Sequence, residues 1–297
     1  MFRYFSCVSS RGFYARTNSI LGARWLGTTS EVELIRHSGE DKGIVTVSFN
    51  RPKAKNALSR SVVDNFSKAL TEIRQDNEAR VVIIRSTVTG VFCAGADLKE
   101  RATMEQNEVG EFLHKLKATF CELERLPQPT IAAIDGVALG GGFELSLCCD
   151  MRIGGPKTLV GLPETSLGII PGAGGTQRLT RLIGESKTKA LVFTAKRLGP
   201  QAALAMGILN DAAEALAIEN ADELGYERAL EWARDILPNG PVAVRMAKKA
   251  IDFGASVDPS SGLDVEQLCY AQVIPTEDRM EGLRAFKEKR KPVYTGR

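Results

Sequence analysis

Polar and apolar positions follow two regimes along the chain. Through the first half, short apolar runs alternate with segments of helical spacing; in the last third the helical spacing is almost continuous. Gly43–Phe49 alternates apolar and polar residues, as a half-buried strand does, and Asn50–Pro52 breaks it. Ser59 is placed to cap a helix whose apolar residues Val62, Val63, Phe66, Ala69, Leu70 and Ile73 recur at helical spacing. Val81–Arg85 is a β-branched run that predicts a buried strand. Val91–Lys99 reads as a small-residue turn leading into polar helix, and residues 106–125 as an amphipathic helix ending before Pro127. Thr130–Ile134 is a further strand-type run, with Met151–Ile153 and Leu159–Val160 as short strands. Helical patterns follow at 177–195, 200–206, 221–236, 240–253 and 262–288. Strands alternating with helices, then helices alone, predict an α/β core with a C-terminal helical extension.

The stretch Thr130–Leu147 holds the most distinctive chemistry. An apolar strand run meets a turn at Gly136, then three consecutive glycines, Gly140, Gly141 and Gly142, then Glu144 at the start of a helical segment. Val137, Ala138 and Leu139 are too apolar for an exposed loop, so the glycines belong inside the protein. Glycines cost backbone entropy and are retained where a backbone must approach another group closely or take a positive φ. N–H groups at a helix start favour negative charge, and a carboxylate beside such donors suits acyl chemistry. A tight strand-to-helix turn with an ordinary first-turn glutamate has the same sequence features.

Composition adds three constraints. A hydrophobic fraction of 43% and a charged fraction of 25% are those of a globular domain, and no apolar run reaches the roughly 18 residues of a membrane span. The formal charge of +3 is concentrated in residues 1–29, which carry Arg3, Arg11, Arg16 and Arg24 and no acid. With aromatic and aliphatic residues interspersed, this segment reads as a mitochondrial presequence, placing the mature protein in the matrix. Without it, 35 basic and 36 acidic residues leave a net charge of −1, which gives no general electrostatic basis for nucleic-acid binding. The six cysteines contain no C-x-x-C pair, and His37 and His114 are the two histidines. That pattern disfavours a zinc site, a disulfide framework or a histidine-based nucleophile mechanism.

Other glycine-bearing elements offer further candidate chemistry. No G-x-x-x-x-G-K-[ST] motif occurs, and Gly172–Gly175 lacks the spacing of a dinucleotide fingerprint. Glu164 lies between apolar Leu162 and the run ending at Ile170, a setting that desolvates a carboxylate and raises its pKa. Glu144 and Glu164 in unlike surroundings could divide acid and base roles; each alone also fits an ordinary helix-start acid. At Phe92–Lys99 the small residues allow close approach to a ligand, and Asp97 could cap the helix that follows; a plain turn fits as well.

Taken together, "NRPKAKNAL" (50–58), "FCAGADLKE" (92–100), "IDGVALGGGFEL" (134–145), "PETSLGIIPGAGGTQRL" (163–179) and "FKEKRKP" (286–292) resemble the crotonase, or enoyl-CoA hydratase/isomerase, superfamily over residues 31–297. The resemblance implies a spiral of β-β-α repeats over residues 30–224 and a helical trimerisation region over 225–297, with trimers or hexamers built as dimers of trimers. It implies an acyl-CoA thioester as substrate, with coenzyme A a part of that substrate and no metal or separate cofactor. Two backbone N–H groups, on Ala96 and Gly141, would form the oxyanion hole. Glu144 and Glu164 would hold one water, add its oxygen to Cβ and protonate Cα. Coenzyme A would run along Lys53, Lys55, Ala57 and Leu58 and the turn with Ala94, Asp97, Leu98 and Lys99, with Gly140, Gly142 and Gly172 nearby and Lys287 or Lys289 as further phosphate contacts.

Retention of both acids favours hydration over double-bond isomerisation within the family. "VFCAGADLKER" (91–101), "TIAAIDGVALGGG" (130–142) and "CYAQVIPTEDRMEGLRAFKEKR" (269–290) resemble the methylglutaconyl-CoA hydratase branch, with a general short-chain enoyl-CoA hydratase as the alternative. Phe143, Cys148, Cys149 and Pro163 depart from the branch pattern beside the acids, and a carboxylated acyl chain would need a cation that the sequence does not point out. That branch includes a protein binding AU-rich RNA through a lysine-rich first helix. Here Arg60, Lys68, Arg74 and Arg80 are balanced by Asp64, Glu72, Asp76 and Glu78, so the counterion-release contribution to RNA binding is expected to be small.

Overall fold

The computed structural model describes residues 30–214 and 222–297. The expected presequence, residues 1–29, lies outside the described residues, as does the first residue of the helical pattern expected from 221. The strands are β1 (Val32–Arg36), β2 (Ile44–Phe49), β3 (Val81–Ser86), β4 (Gly90–Cys93), β5 (Thr130–Ile134), β6 (Gly136–Leu139), β7 (Met151–Gly154), β8 (Leu159–Gly161), β9 (Arg197–Leu198) and β10 (Asp211–Ala212). The helices are α1 (Arg60–Gln75), α2 (Leu98–Arg101), α3 (Gln106–Glu124), α4 (Gly141–Ser146), α5 (Gly175–Ile183), α6 (Glu185–Phe193), α7 (Pro200–Ala205), α8 (Leu224–Ile236), α9 (Pro241–Gly254), α10 (Pro259–Val273) and α11 (Glu277–Glu288).

Two sheets are formed, one in the order β1-β2-β3-β5-β7-β10 and one in the order β4-β6-β8-β9. The strand pairs β3–β4, β5–β6 and β7–β8 each contribute one strand to each sheet. Parallel pairing joins β3 to β5 to β7 and β4 to β6 to β8, and helix follows each pair. The chain therefore winds as a spiral of β-β-α turns, the crotonase fold.

The inner strands of the large sheet are buried on both faces, which explains the apolar runs of β3 and β5; β2, whose alternation predicts a half-buried strand, is buried at every residue, Thr46 and Ser48 included. Along β3, Val82 and Ile84 join the main core with α1, while Val81 and Ile83 meet Ala229 and Ala233 of α8. Thus the first helix of the C-terminal segment covers the sheet. Beyond it, α10 lies against α9 and leaves Leu263, Leu268 and Tyr270 exposed.

Several local expectations needed the tertiary structure. The 177–195 pattern is two helices broken at Gly184, whose φ is +87°. The 262–288 pattern divides after Val273, at Pro275 and the capping residue Thr276, whose side chain accepts a hydrogen bond from Arg279 N–H. The turn expected at Gly136 is the start of β6. Only Asp135 separates β5 from β6, and its carboxylate accepts hydrogen bonds from Gly225 and Tyr226 N–H at 2.6 and 2.9 Å. A Cβ on Gly136 would lie 2.2 Å from the Gly90 carbonyl carbon, so glycine is what lets β6 pair with β4. β1 carried no clear pattern because its middle residues are half-exposed at the sheet edge.

Candidate active site

A cleft of about 1150 Å³ opens beside the ends of β4 and β6. Its lining includes Ala96, Gly140, Gly141, Glu144 and Glu164. Two adjacent parallel strands of the small sheet deliver the turns that carry Ala96 and Gly141. Gly95, at φ +101°, allows their close approach: a Cβ there would lie 2.7 Å from the Leu139 carbonyl oxygen and 3.4 Å from Gly141 N. Leu58 bridges to this turn, donating its N–H to the Gly95 carbonyl at 2.8 Å, while Asp97 N–H donates to the Leu58 carbonyl. Neither Ala96 nor Gly141 N–H donates to a turn or loop carbonyl among the described residues. Gly141 also opens α4, where first-turn N–H groups have no partner within the helix.

Glu144 lies in the first turn of α4 and is 2% exposed. Its Oε1 accepts hydrogen bonds from Ala173 N–H at 2.8 Å and Gly175 N–H at 2.7 Å. Burial pushes its pKa up, while the two N–H donors pull it down. A Cβ on Gly175 would come within 3.0 Å of the Glu144 Cγ and Oε1, so any larger residue there would push the carboxylate from its present position. Arg178 supports that loop: it donates to the Ala173 carbonyl at 3.0 Å and pairs with Glu124 through two bonds at 2.8 and 3.0 Å.

Glu164 begins a 3-10 turn, Glu164–Leu167, after Pro163. Its Oε2 is buried with no hydrogen-bond partner. Burial raises its pKa to about 7, and the neighbouring charge of Glu144 adds to the rise. Gly140, at φ +52°, leaves room for it, since a Cβ there would lie 3.2 Å from Glu164 Oε1. The two acids thus share a cleft in unlike surroundings: burial raises the pKa of both, but Glu144 Oε1 is held by two N–H donors while Glu164 Oε2 has no partner.

The other predicted contacts divide in two. Leu58, Ala94, Leu98, Gly140 and Gly172 line the cleft. Lys53, Lys55 and Lys99 are exposed outside its lining, and Ala57 is buried. Asp97 caps α2 by accepting from Glu100 N–H and pairs with Arg51 at 2.7 Å, which lowers its pKa. Gly142 packs on the end of β4, where a Cβ would lie 2.1 Å from the Cys93 carbonyl oxygen. Lys287 and Lys289 are exposed at the end of α11. Phe143 points into the core, 1% exposed, whereas Pro163 lines the cleft. Sequence reasoning missed Arg101, which lines the cleft from α2, and Arg178. Both sit among polar residues, where nothing in the local pattern marks an inward-facing cation.

Among the described residues, no group of three or more His, Cys, Asp or Glu side chains is arranged to hold a metal, and no helix is long and apolar enough to cross a membrane. Three of the four cations of the 60–80 region are engaged within the fold: Arg60 pairs with Glu108, Arg74 donates to the Glu122 carbonyl, and Arg80 donates to the Leu237 and Asn239 carbonyls, while Lys68 is exposed.

This cleft, between paired turns of a β-β-α spiral, defines an acyl-CoA enzyme of the crotonase type. The sequence matches the enoyl-CoA hydratase/isomerase family over residues 39–297, and the chain belongs to that family. It is 51% identical over 268 residues to a probable mitochondrial enoyl-CoA hydratase 2 of Arabidopsis thaliana, covering 89% of this chain and 86% of that protein. It is 50% identical over 270 residues to the mitochondrial methylglutaconyl-CoA hydratase of Homo sapiens, covering 91% and 78%. The crystal structure of an enoyl-CoA hydratase from Bacillus anthracis superposes with a TM-score of 0.84 at 44% identity, covering 90% of this chain and all of that one.

Proposed function

We propose that the cleft adds water across the double bond of a 2-enoyl-CoA, with 3-methylglutaconyl-CoA as substrate and 3-hydroxy-3-methylglutaryl-CoA as product. The observation that carries this reading is the pair of buried carboxylates, one held by two N–H donors and one with an unpartnered oxygen. Ionised Glu144 takes a proton from water as its oxygen attacks Cβ. Protonated Glu164 delivers a proton to Cα, and proton exchange with solvent resets the pair. The thioester oxygen, becoming enolate-like, accepts from Ala96 and Gly141 N–H, each donor contributing about 3 kcal/mol in comparable sites. Leu58, Ala94, Leu98 and Gly172 flank the thioester and pantetheine, and Lys53, Lys55 and Lys99 meet the coenzyme A phosphates. Asp97 acts on this segment through the cap and ion pair that fix the turn.

The branched substrate is supported by the human relative and by the motifs shared with its branch. The Arabidopsis relative supports a second reading, a general short-chain hydratase. The exposed apolar residues of α10 and α11, among them Leu268 at 67% and Phe286 at 87%, suit burial against further copies in a trimer or a dimer of trimers. The mitochondrial matrix is proposed from the Arg-bearing, acid-free first 29 residues and the mitochondrial relatives. Purified protein should hydrate crotonyl-CoA and 3-methylglutaconyl-CoA, followed as loss of enoyl-thioester absorbance. Glu144→Ala and Glu164→Ala should each lower turnover by about two decades or more. Near-normal activity in either variant would sink the two-acid mechanism, and a large preference for crotonyl-CoA would favour the general hydratase.

A further inference from the structure

Arg101 ends α2, shortly after Ala96, and lines the same cleft as the two acids. Its guanidinium is half-buried over the Phe112 ring, with Cζ 5.0 Å from the centroid. Its Nε is shut off from solvent and has no hydrogen-bond partner; among the described residues no carboxylate forms an ion pair with it. The other cleft cations differ. Arg178 is saturated by Glu124 and the Ala173 carbonyl, Arg181 is bound to Gln177, and Lys117 is exposed.

An arginine keeps its charge in any protein setting, and a partly buried charge without a partner is costly. The missing anion is something a ligand can supply. Arg101 and Glu144 line the same cleft, so the cation faces the space in which Cβ and the groups beyond it would lie. An acyl chain with a carboxylate two bonds beyond Cβ brings a further negative charge close to Glu144 and Glu164. Without a cation there, that charge would be repelled.

We propose that Arg101 receives a carboxylate at the far end of the acyl chain, so that the cleft selects 2-enoyl-CoA esters of dicarboxylic acids over simple alkenoyl esters. This rests on the hydratase reading for the placement of Cβ, and it extends that reading by assigning the residue that reads the substrate class. The guanidinium is a planar donor, suited to two parallel bonds to one carboxylate.

The test compares glutaconyl-CoA with crotonyl-CoA as substrates, and the saturated esters glutaryl-CoA with butyryl-CoA as ligands that cannot be hydrated. Wild type should favour the carboxylated member of each pair. In Arg101→Met the ratio of kcat/KM for glutaconyl-CoA to that for crotonyl-CoA should fall by about 10²-fold, the scale for truncating one partner of a buried charge pair. The ratio of Kd values measured by calorimetry should move likewise, and Arg101→Lys should recover part of it. A wild-type preference for butyryl-CoA would overturn the proposal even if the variants failed to fold. Equal weakening of both esters would overturn it too, because it would assign Arg101 to the coenzyme A phosphates common to both. If neither enoyl ester is hydrated but glutaryl-CoA still binds through Arg101, the hydratase reading fails while the carboxylate contact stands.

Discussion

Replacing Glu164 with glutamine should separate the chemical use of this acid from what it does to the fold. Its Oε2 is buried without a partner and its pKa is raised from 4.5 to about 7. Between those two values the folded protein holds a proton that the unfolded chain has released, so stability falls as pH rises through the window. Fully developed at pH 8, a shift of that size corresponds to about 3 kcal/mol. Glutamine has nearly the same shape and cannot ionise, so Glu164→Gln should escape the loss. Relative to wild type, the variant's melting temperature should gain between pH 4 and pH 8 by roughly 6 °C, taking about 2 °C per kcal/mol for a chain of this size. Differential scanning calorimetry of both proteins at one protein concentration across that range reads it directly. In the same preparation hydration of crotonyl-CoA should fall by about two decades. A melting-temperature difference that stays flat with pH would refute the assignment of a raised pKa to Glu164.

Other outcomes follow from the same geometry. With Glu164 protonated and Glu144 ionised in the working state, wild-type kcat/KM should decline about tenfold per pH unit above an apparent pKa near 7; a profile flat to pH 9 would exclude Glu164 as the acid. Gly175→Ala places a Cβ within 3.0 Å of the Glu144 side chain, and should lower turnover by about 10²-fold through displacement of the carboxylate while costing about 1–3 kcal/mol in urea unfolding. Leu268→Glu puts a charge on the exposed face of α10 and should shift sedimentation toward monomer; an unchanged assembly would move the interface elsewhere.

Much of the site was legible in the sequence because the residues concerned have few alternatives. Three successive glycines before an acid are hard to explain on a surface, and Gly142 and Gly95 do meet backbone at distances no side chain could share. Strand runs such as Val81–Ile84 were readable because both faces of the sheet are buried, one by α1 and one by α8. What escaped notice depends on long-range placement. Arg178 reaches Glu124 across 54 residues of chain, and Arg101 turns inward from a helix whose neighbours are polar. The Gly184 break was hidden because residues of good helix propensity run on both sides of it, and α6 carries no one-sided apolar pattern of its own to mark a new start. Asp97 was legible as a helix cap from its place before a polar helical segment, whereas its pairing with Arg51 depends on residues 46 apart.

The two N–H groups proposed to meet the thioester oxygen belong to the main chain at the ends of neighbouring strands β4 and β6. Their separation is set by the spacing of paired strands, a property of every sheet, and by Gly95 and Gly142, which let the two turns close on each other. A point mutation cannot erase such a donor unless it introduces proline. Apart from those two glycines, the genetic code therefore has little direct access to the proposed donor pair, yet has free access to the side chains that line the rest of the cleft. Descendants of this chain can drift to new acyl chains one residue at a time while inheriting the activating pair intact.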